Sequence, residues 1–323
     1  MKVFVTGGNG FIGSRVVHFL IQEGHTVRCL LRETSKTHRI DAYDFERHLG
    51  DIRDVDSLTE GMRDCDAVIH LASISAWDQI RSPLMRTIVI DGTRNVLNAA
   101  QKAGNLRVIF VSTMVAVNGT KCPEILTESS PFSLPAEPFV YGNAKREAEE
   151  MCLSFFEEHQ LPVLIVNPCE VWGPNDDDFI TAEYARDTIK DWPAMTVKGG
   201  TALAHVDDIA MGITASVTKG RPGERYILGG ENVHASEITA MILEAAELNK
   251  LTLHLPNGIT LALINTMSKL GLPTPIHPDL LAHAVRYWFA DCSKAEQELG
   301  YSYRPARETI GEVVHWLREA GHV

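Results

Sequence analysis

Tyr141 and Lys145 stand four residues apart in Phe139-Val140-Tyr141-Gly142-Asn143-Ala144-Lys145, a spacing that puts both on one face of a helix. A free phenol, with a reference pKa of about 10, exchanges protons poorly at neutral pH, and an ammonium beside it stabilises the phenolate and lowers that pKa. Tyr141 is therefore a candidate general acid-base, with Lys145 as its modulator. The pair alone occurs by chance on many helices. What gives it meaning is an earlier stretch, Thr6-Gly7-Gly8-Asn9-Gly10-Phe11-Ile12-Gly13. Gly7 and Gly10 permit a tight turn and close backbone approach to a pyrophosphate, and Gly13 lets a helix pack against a strand. Gly7, Gly10, Phe11, Ile12 and Gly13 are the expected cofactor contacts at this turn.

The elements that must position these residues are legible around them. Lys2–Thr6 reads as a short buried strand, and Phe11, Ile12, Val16, Val17, Phe19 and Leu20 recur at helical spacing directly after the glycines. Further strands are expected at Thr26–Leu31, Phe45–His48, Ala67–Leu71, Arg107–Ser112 and Val163–Asn167. Helical patterns over Val55–Met62, Thr93–Lys102 and Val140–Glu158 separate them. This alternation predicts an α/β fold, a Rossmann-type doubly wound parallel sheet with a smaller C-terminal substrate lobe. Residues 1–174 are expected to form the NAD(P)-binding domain with the Tyr-x-x-x-Lys site. Residues 175–323 are expected to be mainly substrate-binding lobe, with some segments returning to the first domain.

The 323 residues and an apolar fraction of 45% are enough to fill two cores. A formal net charge of −12 argues against nucleic acid or an anionic membrane as a primary partner, since those need a basic face. The six cysteines lack Cys-x-x-Cys spacing, which argues against a zinc site and a disulfide framework and for a reducing compartment. Met1 leads straight into the first strand and no run reaches membrane-spanning length, so a cytoplasmic protein without a membrane span is expected. Asp176-Asp177-Asp178 lacks a ligand pattern that would complete an oxygen cage; it reads as a solvated loop, and no metal is expected.

At the end of the second strand an acidic residue would bind the adenosine ribose diol, but this chain offers Arg28, Arg32 and Lys36, about 20 residues beyond the glycines. A guanidinium there can grip a 2′-phosphate. NADP is expected over NAD, with Arg32 and Lys36 as contacts.

Several segments together resemble the extended short-chain dehydrogenase/reductase family, within the NAD-dependent epimerase/dehydratase superfamily, over nearly the whole chain. They are the glycine turn, Gly50-Asp51-Ile52, Asp66 to Ala72, Gly92 to Leu97, Val111-Ser112-Thr113, Tyr141 to Lys145, Asn167-Pro168 to Trp172-Gly173-Pro174, and His205-Val206-Asp207-Asp208. Gly223 to Gly230 and Ala295 to Tyr301 are similar to the branch holding dihydroflavonol reductases, hydroxysteroid dehydrogenase-like proteins and hopanoid-associated sugar epimerase-like proteins.

The resemblance implies further roles. Asp51 and Ile52 would flank the adenine, Leu71, Ala72 and Ser73 would border the ribose, and Pro168 to Val171 would fix the nicotinamide ring. Thr113 matches the catalytic hydroxyl of the family, with Ser112 as the alternative. Tyr141 would protonate a carbonyl oxygen as hydride reaches its carbon, while Lys145 also binds ribose hydroxyls. A homodimer through helices near Asn95–Lys102 and Val140–Glu158 is also implied.

Departures from the family pattern narrow the chemistry. Met114 and Val115 follow Thr113 where 4,6-dehydratases carry an Asp-Glu pair, Val89 stands where epimerases often have Asn, and Asn167 replaces a common arginine. Thr201-Ala202-Leu203-Ala204 lacks the basic residue that holds nucleotide-sugar phosphates. From Thr252 to His283 the only cation apart from histidines is Lys269. The expected activity is an NADP-dependent carbonyl reductase or alcohol dehydrogenase acting on a small apolar or aromatic ketone or aldehyde. An NAD-dependent nucleotide-sugar epimerase is the alternative, and a non-catalytic cofactor-sensing regulator a third reading.

Other residues have structural readings. His70 reads as a satisfied core histidine, His205 as a structural residue before a helix, and Asp207 as the cap of that helix. Trp288 and Phe289 fit either core or pocket lining, and the apolar stretch from Ile259 to Leu270 reads first as a buried helix of the second lobe, then as a pocket lid.

Overall fold

The computed structural model describes residues 1–74, 77 and 79–323. Its main sheet contains β1 (Lys2–Thr6), β2 (Thr26–Leu31), β3 (Glu46–Leu49), β4 (Ala67–His70), β5 (Arg107–Val111) and β6 (Val163–Pro168). The chain continues through β7 (Glu170–Trp172), β8 (Ala194–Thr196) and β9 (Gly200–His205) to β10 (Arg225–Leu228), which returns to the main sheet. The seven strands run in the order β10-β6-β5-β4-β1-β2-β3, all parallel. Leaving β1 the chain first builds β2 and β3 on one side, then crosses to build β4 on the other. The loops after β1 and β4 therefore diverge and open a crevice at the strand ends, which is where this architecture binds ligands. The fold is the doubly wound Rossmann type the alternation predicts.

Parallel neighbours need crossovers, and the helices supply them on both faces. The helices are α1 (Phe11–Gln22), α2 (Val55–Gly61), α3 (Leu84–Arg86), α4 (Gly92–Lys102), α5 (Val140–His159), α6 (Ala182–Lys190) and α7 (Val206–Lys219). They are followed by α8 (Ala235–Ala245), α9 (Asn257–Lys269), α10 (Pro278–Ala284), α11 (Ser293–Leu299) and α12 (Ala306–Glu319). Alternation along β1 sends Val3 and Val5 into a core shared with α1 and α7, and Phe4 into one shared with α4 and α5. A smaller sheet orders β11 (Glu231–His234), β9 and β13 (Tyr287–Trp288), with β7 also on β9, while β12 (Thr252–His254) pairs β8. No helix is long and apolar enough to cross a membrane among the described residues.

Several expectations are corrected. In α9 only Ile264 is buried, while Ile259, Leu263 and the C-cap residue Leu270 are 70%, 58% and 69% exposed. The helix packs on α10 and nothing covers its other face among the described residues. Asp176 is not solvated: its buried carboxylate accepts from the backbone N–H groups of Ile180, Thr181 and Ala182 at the start of α6. The cap of α7 is His205, whose Nδ1 accepts from Asp207 N–H at 3.0 Å, while the Asp207 carboxylate takes the Arg15 guanidinium. Trp288 and Phe289 are both buried, Trp288 stacking on His283 at 4.3 Å.

Candidate active site

The glycine turn closes on itself between β1 and α1. Gly7 has φ +73°, and a Cβ there would lie 2.7 Å from Ala72 N; a Cβ at Gly13 would collide with the Gly7 carbonyl. Gly10 N–H donates to Gly7 O at 3.1 Å, and no side chain caps α1. The first N–H groups of α1 thus face the crevice as donors at the positive end of a helix dipole, where a pyrophosphate fits. Asn9 ties the turn to the loop after β2 by donating to Lys36 O at 2.9 Å.

His70 ends β4 inside this frame and is fully consumed by it. Thr93 Oγ donates to Val89 O at 2.6 Å and so accepts from His70 Nε2 at 3.1 Å, which leaves Nδ1 to accept from Thr6 Oγ at 2.7 Å. Burial, with the Lys145 charge as a lesser cause, holds this imidazole down at about 3, hence neutral. Its reading as a core histidine agrees with these contacts.

Tyr141 opens α5 and Lys145 follows one turn later. Burial pushes the Tyr141 phenol up to about 12, opposed by a hydrogen bond with Ser73. The Lys145 ammonium donates to Val111 O at 2.8 Å and lies 4.2 Å from the centre of the Phe110 ring. Burial lowers it to about 8, opposed first by Glu149. In this arrangement desolvation, not the ammonium, dominates the phenol, contrary to the expectation that Lys145 pulls the Tyr141 pKa down.

Glu149, one further turn along α5, was not singled out by sequence reasoning. It is fully buried, accepts from Asn167 Nδ2 at 2.6 Å and pairs with Arg225 of β10, Nε to Oε2, at 3.0 Å. The same Asn167 amide donates to Thr113 O at 2.9 Å, so the ends of β5 and β6 and the face of α5 share one polar network. The signal available in the sequence was the i, i+4, i+8 run Tyr141, Lys145, Glu149.

Thr113 leaves β5 with extended backbone, half-buried, and its hydroxyl accepts from Val115 N–H at 3.3 Å, which leaves its proton free to donate. Ser112 Oγ is buried and has no partner among the described residues. Pro168 is the last residue of β6 and Val171 lies in β7, both buried, and Leu71 and Ala72 continue from β4.

Beyond the end of β2, Arg32 and Lys36 are exposed, and neither side chain has a partner among the described residues. Arg28 is taken out of the expected set: it donates to Glu46 Oε2 at 2.7 Å and to the carbonyls of Gly61 and Arg63 at 2.9 and 2.8 Å, bracing the sheet edge. Asp51 holds Arg53 through two hydrogen bonds of 2.9 and 2.7 Å, its carboxyl lowered chiefly by that guanidinium and less by Arg32. Ile52 is buried, and its carbonyl accepts from Asn95 at 3.0 Å. No group of three or more metal-ligating side chains occurs among the described residues.

Residues 3–229 match the model of the NAD dependent epimerase/dehydratase family. The chain belongs to that family. Among curated members it is 31% identical to a provisionally named dihydroflavonol 4-reductase of Synechocystis sp., covering 99% of this chain and 95% of the relative. It is 28% identical to a 4-hydroxy-2-methyl-3-oxo-4-farnesyl-3,4-dihydroquinoline-1-oxide ketoreductase of Stigmatella aurantiaca, covering 99% and 97%. The crystal structure of gox2253 superposes with a TM-score of 0.85 at 28% identity, covering 100% of this chain and 99% of the other. As a family member the chain is an NAD(P)-dependent oxidoreductase, and the donor-lined turn beside β1 and β4 suits the dinucleotide that family uses. When bound, that cofactor supplies or accepts hydride at its nicotinamide.

Proposed function

We propose that this enzyme is an NADP-dependent carbonyl reductase that converts an apolar or aromatic ketone or aldehyde to the alcohol. The observation that carries the reading is the placement of the Tyr141 phenol, half-buried one turn before Lys145 on α5 and hydrogen-bonded with Ser73, in a fold that also brings the Thr113 hydroxyl to the end of β5. A tyrosine so held is a proton donor to a developing alkoxide, which is its task in reduction. Thr113, with its proton free, orients and polarises the carbonyl oxygen, and Ser112 is the second hydroxyl at that strand end. Lys145 holds positive charge beneath the site and binds ribose hydroxyls. The Phe11 and Ile12 N–H groups receive pyrophosphate at Gly7, Gly10 and Gly13. Asp51 and Ile52 flank the adenine, Leu71, Ala72 and Ser73 the ribose, and Pro168 and Val171 the nicotinamide.

Arg32 and Lys36, exposed and without a side-chain partner among the described residues, favour NADP over NAD. An apolar substrate fits a lobe whose segment from Thr252 to His283 holds a single lysine, Lys269, and it is the class named for the Stigmatella ketoreductase. The functional assembly in this reading is a homodimer through α4 and α5. A panel of carbonyl compounds followed by NADPH absorbance tests the activity. Micromolar saturable binding of a UDP- or dTDP-sugar, with no hydrophobic carbonyl reduced, would replace this reading with the nucleotide-sugar epimerase.

A further inference from the structure

Residues 192–200 and 248–278 contain no aspartate or glutamate, in a chain that has 42. Their charged side chains are Lys198, Lys250 and Lys269. Lys250 is engaged by the carbonyls of Thr188, Ile189 and Asp191 at the end of α6, so Lys198 and Lys269 are the cations turned to solvent, against a chain total of −12. The fold makes the two stretches neighbours. β12 pairs β8 with Leu253 opposite Met195, and Asn257 at the start of α9 exchanges hydrogen bonds of 3.0 and 2.7 Å with the backbone of Lys198. On this unit Trp192, Leu251, Ile259, Leu263 and Leu270 are each more than half exposed. Ile259, Leu263 and Leu270 follow the helical period and form one stripe along the outer face of α9.

The unit is held next to the site. α9 packs on α10, and Arg81, in the loop after β4, clamps buried Asp279 of α10 with bonds of 2.6 and 2.8 Å. The same guanidinium reaches Glu137, just before the helix of Tyr141 and Lys145, at 2.7 Å.

Large aliphatic side chains in a helical stripe, with Lys269 the one charge on the helix and an exposed tryptophan elsewhere on the same unit, suit a helix lying at a bilayer surface. At 13 residues α9 is about 20 Å long, too short to cross a hydrocarbon core and long enough to lie in its surface. An anionic surface repels a strongly acidic protein except at a face free of carboxylates. A second copy seated on the same face is the competing occupant, and the acidic character of the rest of the chain against the carboxylate-free composition of these two stretches is what favours the lipid surface.

We propose that the α9 face docks this enzyme on an anionic lipid surface, with its site next to the layer in which apolar substrates dissolve. The delivery of substrate rests on the reductase reading; the docking does not. The test is co-sedimentation of the full-length protein, without substrate, with phosphatidylcholine vesicles containing phosphatidylglycerol and with pure phosphatidylcholine vesicles. The protein should pellet with the mixed vesicles. The combined variant Ile259→Ser, Leu263→Ser, Leu270→Ser should bind roughly tenfold more weakly or worse, three buried aliphatic side chains being lost. It should turn over a water-soluble carbonyl compound at the parental rate. Lys198→Glu with Lys269→Glu should abolish the preference for phosphatidylglycerol. Failure of the parent to pellet, or equal pelleting of the triple variant, overturns the proposal. So does an oligomer that the triple variant splits without any vesicle binding, which assigns the face to a second copy. Intact vesicle binding with no carbonyl reduced would sink the reductase reading alone.

Discussion

Glu149 lies one helical turn past Lys145 on α5, fully buried, and its carboxylate opposes the desolvation that lowers the Lys145 ammonium to about 8. Glu149 is itself held from two other elements, by Asn167 of β6 and Arg225 of β10. The ammonium under the proposed acid is thus tuned by a residue well back from the crevice.

This relationship gives a pH dependence. Reduction needs Tyr141 protonated and Lys145 charged, and Tyr141 at about 12 stays protonated across the accessible range. kcat/KM should be level below about pH 8 and fall above it as Lys145 loses its proton. Glu149→Gln removes the charge that raises Lys145, so the fall should move to lower pH. An unchanged profile in a variant that still folds would separate Glu149 from Lys145.

The same group sets a sign for stability. Lys145 is lowered from 10.5 to about 8 on folding, so between those values the unfolded chain binds the extra proton. The cost of burying the charge is full below about pH 8 and relieved as pH rises through that window. Stability by denaturant titration should therefore climb over this interval, and Lys145→Met should flatten the climb.

Tyr141→Phe should remove nearly all turnover and leave cofactor affinity intact, because only the donating hydroxyl is lost. Lys145→Met should damage both. Fluorescence titration with NADPH, alongside steady-state rates, separates the two; parental turnover in Tyr141→Phe would end the acid-base assignment.

NADPH should bind more tightly than NADH, and Arg32→Ala should narrow the gap by about 1.5–3 kcal/mol, the range for hydrogen bonds to charged groups. Equal dissociation constants in the parent would return Arg32 and Lys36 to the role of surface charges.

Arg81→Gln leaves the buried Asp279 carboxylate without its bidentate partner. A loss of about 1.5–3 kcal/mol in unfolding free energy is expected. Raised proteolytic cleavage in α9 and α10 would accompany it.

What the sequence determined by itself was local. The glycine turn was readable because left-handed backbone at Gly7 and the close approach of Gly13 admit no side chain, and that requirement is met within one turn of chain. Strand and helix positions up to β6 were readable because their periods, two and 3.6, are properties of the backbone. Spacing alone put Tyr141 and Lys145 on one helix face, and resemblance marked the strand-end hydroxyls.

Tertiary structure decided the rest, because pairing and burial depend on what returns from far along the chain. Arg28 looked like a phosphate ligand until Glu46 and two carbonyls of the 61–63 turn claimed it. Asp176 looked solvated until the start of α6 folded back onto it. Glu149 gained its place only when β6 and β10 brought Asn167 and Arg225 to it. The apolar period of α9 is the same whether the helix is buried or bare; only the absence of a second layer over its outer face, among the described residues, left Ile259, Leu263 and Leu270 in water.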